Sequence, residues 1–189
     1  MKKTIPVLLS LLLSLGLFSC GSTSISGDNA VYTNPAGSVS IELPGKWTST
    51  DKASDDTIDV IYSNDAAEVY IQCLSKGQLD YLAQNLDGYA DYSTVNNLGD
   101  ILMDAETADT EIAVPDYIIN SRAQSFTLKN GDDAVKGFVV FMESSRCYYT
   151  CLAMAVDEVY NASEDKLVES VLSIREITDI PEETESEEN

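Results

Sequence analysis

The sequence predicts an α+β domain in which an antiparallel β-sheet is packed with helices. Three observations predict it. Several short segments alternate apolar and polar residues with period two, as half-buried strands do. Neighbouring strand segments are joined by links too short for a crossover, so they run antiparallel. Two longer stretches repeat apolar residues at three and four positions, as helices with one buried stripe do. Helices laid on an antiparallel sheet make a layered domain.

The first strand is carried by Val39, Ile41 and Leu43, which alternate with Ser38, Ser40 and Glu42 until Pro44-Gly45 ends the run. Ile58, Val60 and Tyr62 form a second, before the turn residues Ser63-Asn64-Asp65. Val69, Ile71 and Cys73 share one face of a third, and the short link from Ser63 to Ala66 makes these two a hairpin. Gly77 then precedes Leu79, Leu82, Leu86 and Tyr89, one helical stripe. The stretch 93–116 carries no clear period and is punctuated by Gly99 and Pro115. Tyr117 to Leu128, Val135 to Glu143 and Cys147 to Val156 read as three successive strands, turning at Lys129 to Asp132 and at Glu143 to Arg146. Asn161 with Glu164 three residues on has the pattern of a capping box. It is expected to open a helix with Leu167, Val168, Val171, Leu172 and Ile174 on one side.

The N-terminal segment has a different character. Lys2 and Lys3 precede an apolar run from Ile5 to Phe18, interrupted only by Pro6, Ser10, Ser14 and Gly16. This is the layout of a secretory signal, and the run is short of the roughly 20 residues a spanning helix needs. It ends in Leu17-Phe18-Ser19-Cys20, then Gly21-Ser22. These residues resemble the lipobox of bacterial lipoproteins. The resemblance implies that a diacylglycerol is attached to the Cys20 thiol and that the chain is cut just before it. Cys20 then becomes the first residue of a protein held on the outer side of a bacterial membrane. Each buried methylene contributes about 0.8 kcal/mol, so two acyl chains anchor stably where one does not.

The expected organisation is therefore a signal peptide over 1–19, a Gly/Ser/Thr-rich flexible tether over 20–30, one domain over 31–180 and an acidic tail over 181–189. Loss of 19 of the 189 residues leaves 170, a size that buries a sizeable core without metals or disulfides.

Charge and composition narrow the function classes. Eleven basic residues stand against 32 acidic ones. Removal of Lys2 and Lys3 leaves nine against 32, a net of −23. Such a surface repels phosphate backbones, so no nucleic-acid partner is expected. The chain has no histidine. That removes the commonest general base and zinc ligand, and with them any Ser-His-Asp or Cys-His nucleophile. No cofactor is expected.

The opening SVSIELPGKW (Ser38 to Trp47), a strand hairpin, a helix, a run of antiparallel strands and the closing EDKLVESVLSIRE (Glu164 to Glu176) together resemble the PsbP/Mog1-like domains. These include many short bacterial lipoproteins. The resemblance implies an α-β-α sandwich around an antiparallel sheet and a role as a binding or assembly factor. It carries no binding residue onto a position of this chain, and fold alone does not fix function.

The residues with chemistry of their own are few. Besides Cys20 there are Cys73, Cys147 and Cys151. On one strand Cys147 and Cys151 face the same way but lie about 13 Å apart, too far for a disulfide. Cys73 is able to meet either of them across the sheet, and export favours such a bond. The alternative is three buried thiols serving as small apolar residues. Asp104, Glu106, Asp109 and Glu111, and separately Asp55, Asp56 and Asp59, are acid clusters without EF-hand spacing, and read as solvated surface. No metal site is expected. Among the tyrosines Tyr81, Tyr89, Tyr92, Tyr148 and Tyr149, Tyr89 falls on the helical stripe, while Tyr148 and Tyr149 must point to opposite faces. Trp47 is expected to plug one end of the core.

Two functional classes follow. The first is a lipid-anchored, extracytoplasmic, non-catalytic binding or assembly module with an unknown protein or small-ligand partner. The second is a carboxylate-based enzyme or enzyme subunit acting on cell-envelope or extracellular glycans. The second requires two acids converging about 5–9 Å apart in a cleft.

Overall fold

The strands place their apolar residues on two faces of one large sheet, and both faces are covered. A computed structural model of the chain describes residues 24–34, 37–54, 57–64, 67–79, 85–130 and 133–177. The segment 1–19 expected as a signal peptide, Cys20 and the expected acidic tail 181–189 lie outside the described residues. The elements run β1 (Asn29–Thr33), β2 (Val39–Pro44), β3 (Thr48–Ser54), β4 (Thr57–Ser63) and β5 (Ala67–Ser75), then α1 (Lys76–Leu79), α2 (Leu86–Asn96) and α3 (Gly99–Leu102). They continue through β6 (Glu106–Thr110), β7 (Asn120–Asn130), β8 (Asp133–Glu143), β9 (Cys147–Val156), α4 (Asp157–Leu172) and β10 (Arg175–Glu176).

Seven strands form the main sheet in the order β3-β4-β5-β9-β8-β7-β6, and β1-β2-β10 form a small second sheet. Every neighbouring pair is antiparallel. The β4–β5 hairpin forms over the expected link, with Ser63 opposite Glu68.

Alternation along the central strands divides the core. Val69, Ile71, Phe138, Val140, Met142, Tyr149, Cys151 and Ala153 point to one side, where they meet Val159, Leu167 and Val171 of α4 and Val39, Ile41 and Leu43 of β2. Tyr70, Leu74, Val139, Phe141, Tyr148, Leu152 and Met154 point to the other, under Leu86, Tyr89 and Ala90 of α2 and Leu98, Ile101 and Leu102. Burying each such large side chain contributes about 1.5–3 kcal/mol. Helices on both faces of an antiparallel sheet make the expected α-β-α sandwich. Trp47 is 7% exposed and its indole nitrogen donates to the Pro44 carbonyl at 2.9 Å.

Three local expectations are corrected. The capping box at Asn161 is not used: α4 continues directly from β9, so Asn161 lies one turn inside it. The carboxylates of Asp157 and Glu158 sit in the first turn instead, where the helix dipole favours negative charge. The Asn161 amide donates back to Asp157 at 2.9 Å. The stripe from Gly77 to Tyr89 is not one helix, because Asn85 caps a fresh start by accepting from the Gly88 amide at 2.9 Å. Leu172 falls off the buried stripe of α4 and is 38% exposed.

The packed part of the chain reaches back to Ile25, within the stretch 20–30 expected to tether the domain. Ile25 is 2% exposed. Its amide donates to the Ser163 hydroxyl at 2.8 Å, and its carbonyl accepts from the Lys166 ammonium at 2.7 Å. Both partners are on α4.

Candidate functional site

On the α4 face the sheet register gathers the sulfur chemistry of the domain. Cys73 on β5 stands opposite Tyr149 on β9, and Cys147 and Cys151 lie two residues to either side of Tyr149. All three cysteines therefore share one face, and all three are free thiols. Cys151 is 1% exposed among apolar neighbours, and burial pushes its thiol up to about 12. Cys73 and Cys147 are half-buried near the β8–β9 turn. Each thiol feels the other and the Tyr149 hydroxyl as its polar neighbours.

Tyr149 carries this network to the C-terminal strand. Its hydroxyl donates to the Glu176 carboxylate, and the Ser144 hydroxyl donates to the same oxygen at 2.6 Å. Ser144 in turn accepts the backbone amides of Arg146 and Cys147 at 3.2 and 3.0 Å. Because Glu176 belongs to β10 in the small sheet, the cluster joins the two sheets side chain to side chain. The neighbouring Cys73 thiol holds Cys147 below the ordinary thiol value, and Cys147 together with burial pushes Cys73 well above it. Burial first, then the neighbouring thiols and Glu176, push the Tyr149 phenol up. Tyr117 beside it is raised by burial and by Glu176, and donates to the Ile174 carbonyl at 3.2 Å.

The opposite face holds a second polar set. The Tyr89 and Thr150 hydroxyls are 2.7 Å apart, and Ser93 lies 3.0 Å from Thr150. The Gln72 carbonyl accepts from Asn97 at 2.9 Å. Tyr89 stacks on Tyr148, with ring centres 5.0 Å apart and planes 15° from parallel. Glu68, two residues along β5 from Tyr70 on this same face, is 3% exposed, and one of its carboxylate oxygens has no hydrogen-bond partner. Burial raises its carboxyl from 4.5 to about 7.

At the β6 edge an open cleft of about 580 Å³ is lined by Asp87, Asp109, Glu111, Ser121 and Arg122. Arg122 lies 3.8 Å from Asp87 and the Gln124 amide donates to Asp109 at 3.2 Å. Asp109 and Glu111 of the first acid cluster thus face the cleft, while Asp104 and Glu106 are exposed beside it. Asp55 and Asp56, and Tyr81 among the tyrosines, lie outside the described residues. No group of three or more metal-ligating side chains gathers among the described residues.

The structure brings Cys73 to Cys147, leaves Cys151 buried two residues beyond Tyr149, and places Tyr148 and Tyr149 on opposite faces as their alternation required. Sequence reasoning missed Glu176, Ser144 and Glu68. Glu176 and Ser144 are separated from Cys73 by more than 70 positions and give no local signal. Glu68 gave a faint one, since it occupies the same-face row of Tyr70 and Leu74 in a strand with two buried faces.

No protein-family model matches the chain, and no curated protein matches it. Solved structures do. The chain is similar to cyanobacterial PsbP (CyanoP) from Synechocystis sp. PCC 6803, with TM-score 0.52 and 16% identity over 86% of this chain and 99% of that one. It also matches a protein from Bacteroides thetaiotaomicron with TM-score 0.46 and 9% identity over 82% of this chain, spanning half the length of that protein. At such identities the likeness is one of fold, and the fold is PsbP-like.

Proposed function

We propose that this chain is a lipid-anchored, extracytoplasmic, non-catalytic module that binds a protein partner or a small ligand at the outer side of a bacterial membrane. The observation that carries the reading is Leu17-Phe18-Ser19-Cys20 at the end of an apolar run behind two lysines. The packing of Ile25 supports it: five residue steps from Cys20 reach at most about 17 Å, so a lipid on Cys20 keeps the domain against the bilayer surface. The absence of histidine and the PsbP-like fold agree with a binding role without dictating one.

The carboxylate enzyme gains no support from the described residues. Glu68, the acid with a raised pKa, stands on β5, three strands from the Arg122-bearing β7 that lines the cleft. That is roughly 14 Å at the usual strand spacing, too far for a shared reaction.

Membrane fractionation of the full chain and of Cys20→Ala in a bacterial host tests the anchor. The wild type should sediment with membranes and enter the detergent phase on phase separation. Cys20→Ala should lose at least nine-tenths of that association, since a domain of net charge −23 has no attraction to an anionic bilayer. Equal membrane retention of the variant would overturn the reading.

A further inference from the structure

We propose that Cys73 and Cys147 form a reversible dithiol–disulfide couple in which Cys147 reacts first, Cys73 resolves, and Cys151 takes no part. Register and burial together set the choice. Cys147 and Cys151 are both diagonal to Cys73 across the β5–β9 pair, but Cys73 and Cys147 are half-buried whereas Cys151 is 1% exposed. Cys147 is also the thiol nearest the β8–β9 turn and open to solvent on one side, while Cys151 is shut in beneath α4.

Diagonal neighbours in an antiparallel pair have Cα atoms about 7–8 Å apart, at or beyond the upper limit of ordinary disulfide geometry. A bridge here therefore draws β5 and β9 together. Bonds that cost such adjustment are the readily reduced ones, which makes this couple reversible where a structural bridge is not. Tyr149 stands opposite Cys73 and two residues from Cys147 along β9, and it holds Glu176, so the couple sits beneath the joint between the two sheets.

The oxidant is a disulfide, either small-molecule or on an exported oxidoreductase. The Cys147 thiolate attacks one sulfur of that disulfide, whose S–S bond breaks and whose other sulfur leaves as a thiolate. Cys73 then attacks the Cys147 sulfur of the mixed disulfide, and the second oxidant sulfur leaves. Two protein thiols are oxidised by two electrons, one disulfide is reduced to two thiols, and the two protons end on the departing sulfurs. The favoured Cys147 thiolate is the competent nucleophile for the first step.

The test uses the full chain, reduced, freed of reductant and equilibrated without oxygen in mixtures of oxidised and reduced glutathione. Acid quenching, maleimide labelling and peptide mass mapping then read each cysteine. Cys73 and Cys147 should lose label together, with the mass falling by two hydrogens, and should recover it in excess reduced glutathione. Cys151 should label only after unfolding in every mixture. Cys73→Ser should trap glutathione on Cys147, and Cys151→Ala should leave the couple intact. Full labelling of Cys73 and Cys147 in oxidised glutathione, glutathione retained on wild-type Cys147, a bridge to Cys151, or a bridge that survives excess reduced glutathione would each overturn the proposal. None of these outcomes depends on the lipid at Cys20.

Discussion

Glu68 is the residue whose burial has the clearest energetic consequence. Removing a carboxylate from water penalises its charged form, and no described cation offsets the penalty. The folded protein binds a proton at Glu68 up to about pH 7, whereas an unfolded chain releases it near 4.5. The stability this residue contributes is therefore fully present below pH 4.5 and is lost as pH rises through about 7. Glu68→Gln removes the titration. At pH 8 it should stabilise the protein by on the order of 2 kcal/mol, and at pH 4 it should change little. Urea unfolding of both proteins at the two pH values reads the difference and cancels the contribution of all other acids. A variant equally stable to wild type at pH 8 would show that Glu68 ionises freely in the fold. The thiol cluster teaches a related lesson about residues. Period-two alternation put Cys73, Cys147 and Cys151 on determinable faces, but which pair met depended on a register that no local pattern encodes.

At the scale of elements, the strands with strong alternation were legible and the polar ones were not. β2 alternates Val39, Ile41 and Leu43 with polar residues because one of its faces is buried, while β8 over Phe138 to Met142 and β9 over Cys151 to Val156 run continuously apolar because both faces are. β1 and β6 have exposed burial patterns throughout most of their length. They are edge strands held by backbone pairing, so no side-chain period marks them. β10 has two residues and exists only because β2 offers a partner. The break at Asn85 was hidden by apolar spacing that continues in phase across it. Gly137 on β8 shows what the elements demand of one another. A Cβ built there lies 2.4 Å from the Ala153 carbonyl oxygen, 2.6 Å from the Phe126 ring and 2.9 Å from the Met154 Cβ. Two neighbouring strands press on this position, and β9 does so through a carbonyl oxygen and a Cβ with no freedom to move aside. Gly137→Ala should destabilise the domain by roughly 3 kcal/mol, at the upper end of overpacking costs, and thermal unfolding measures it. The same change at Gly77, where nothing lies within 4 Å, should cost less than about 0.5 kcal/mol. Equal losses at the two sites would mean that β7 and β9 do not pack against Gly137 as described.

For the whole molecule the governing quantity is charge. A chain of net −21 repels itself on folding, because folding brings its acids closer together. Four ion pairs stand among the described residues, at Lys76–Glu143, Arg122–Asp87, Lys129–Glu106 and Lys136–Asp157. All but the part-buried Lys76–Glu143 pair are largely solvent-facing, and exposed pairs contribute about 0–1 kcal/mol each, so the four cannot balance repulsion summed over some thirty acids. Salt screens both, and the repulsion is the larger. Raising ionic strength from about 10 mM to 150 mM shortens the screening length from about 30 Å to 8 Å, less than the width of the sheet. The urea midpoint should therefore rise with sodium chloride over that range, where a domain held by surface ion pairs would weaken. Calcium and magnesium chlorides at matched ionic strength separate screening from capture. If the carboxylates around the Arg122 cleft are solvated surface, the two divalent salts should act alike. A midpoint that rises with calcium well beyond magnesium, and saturates at a one-to-one ratio, would mean that those acids close around an ion.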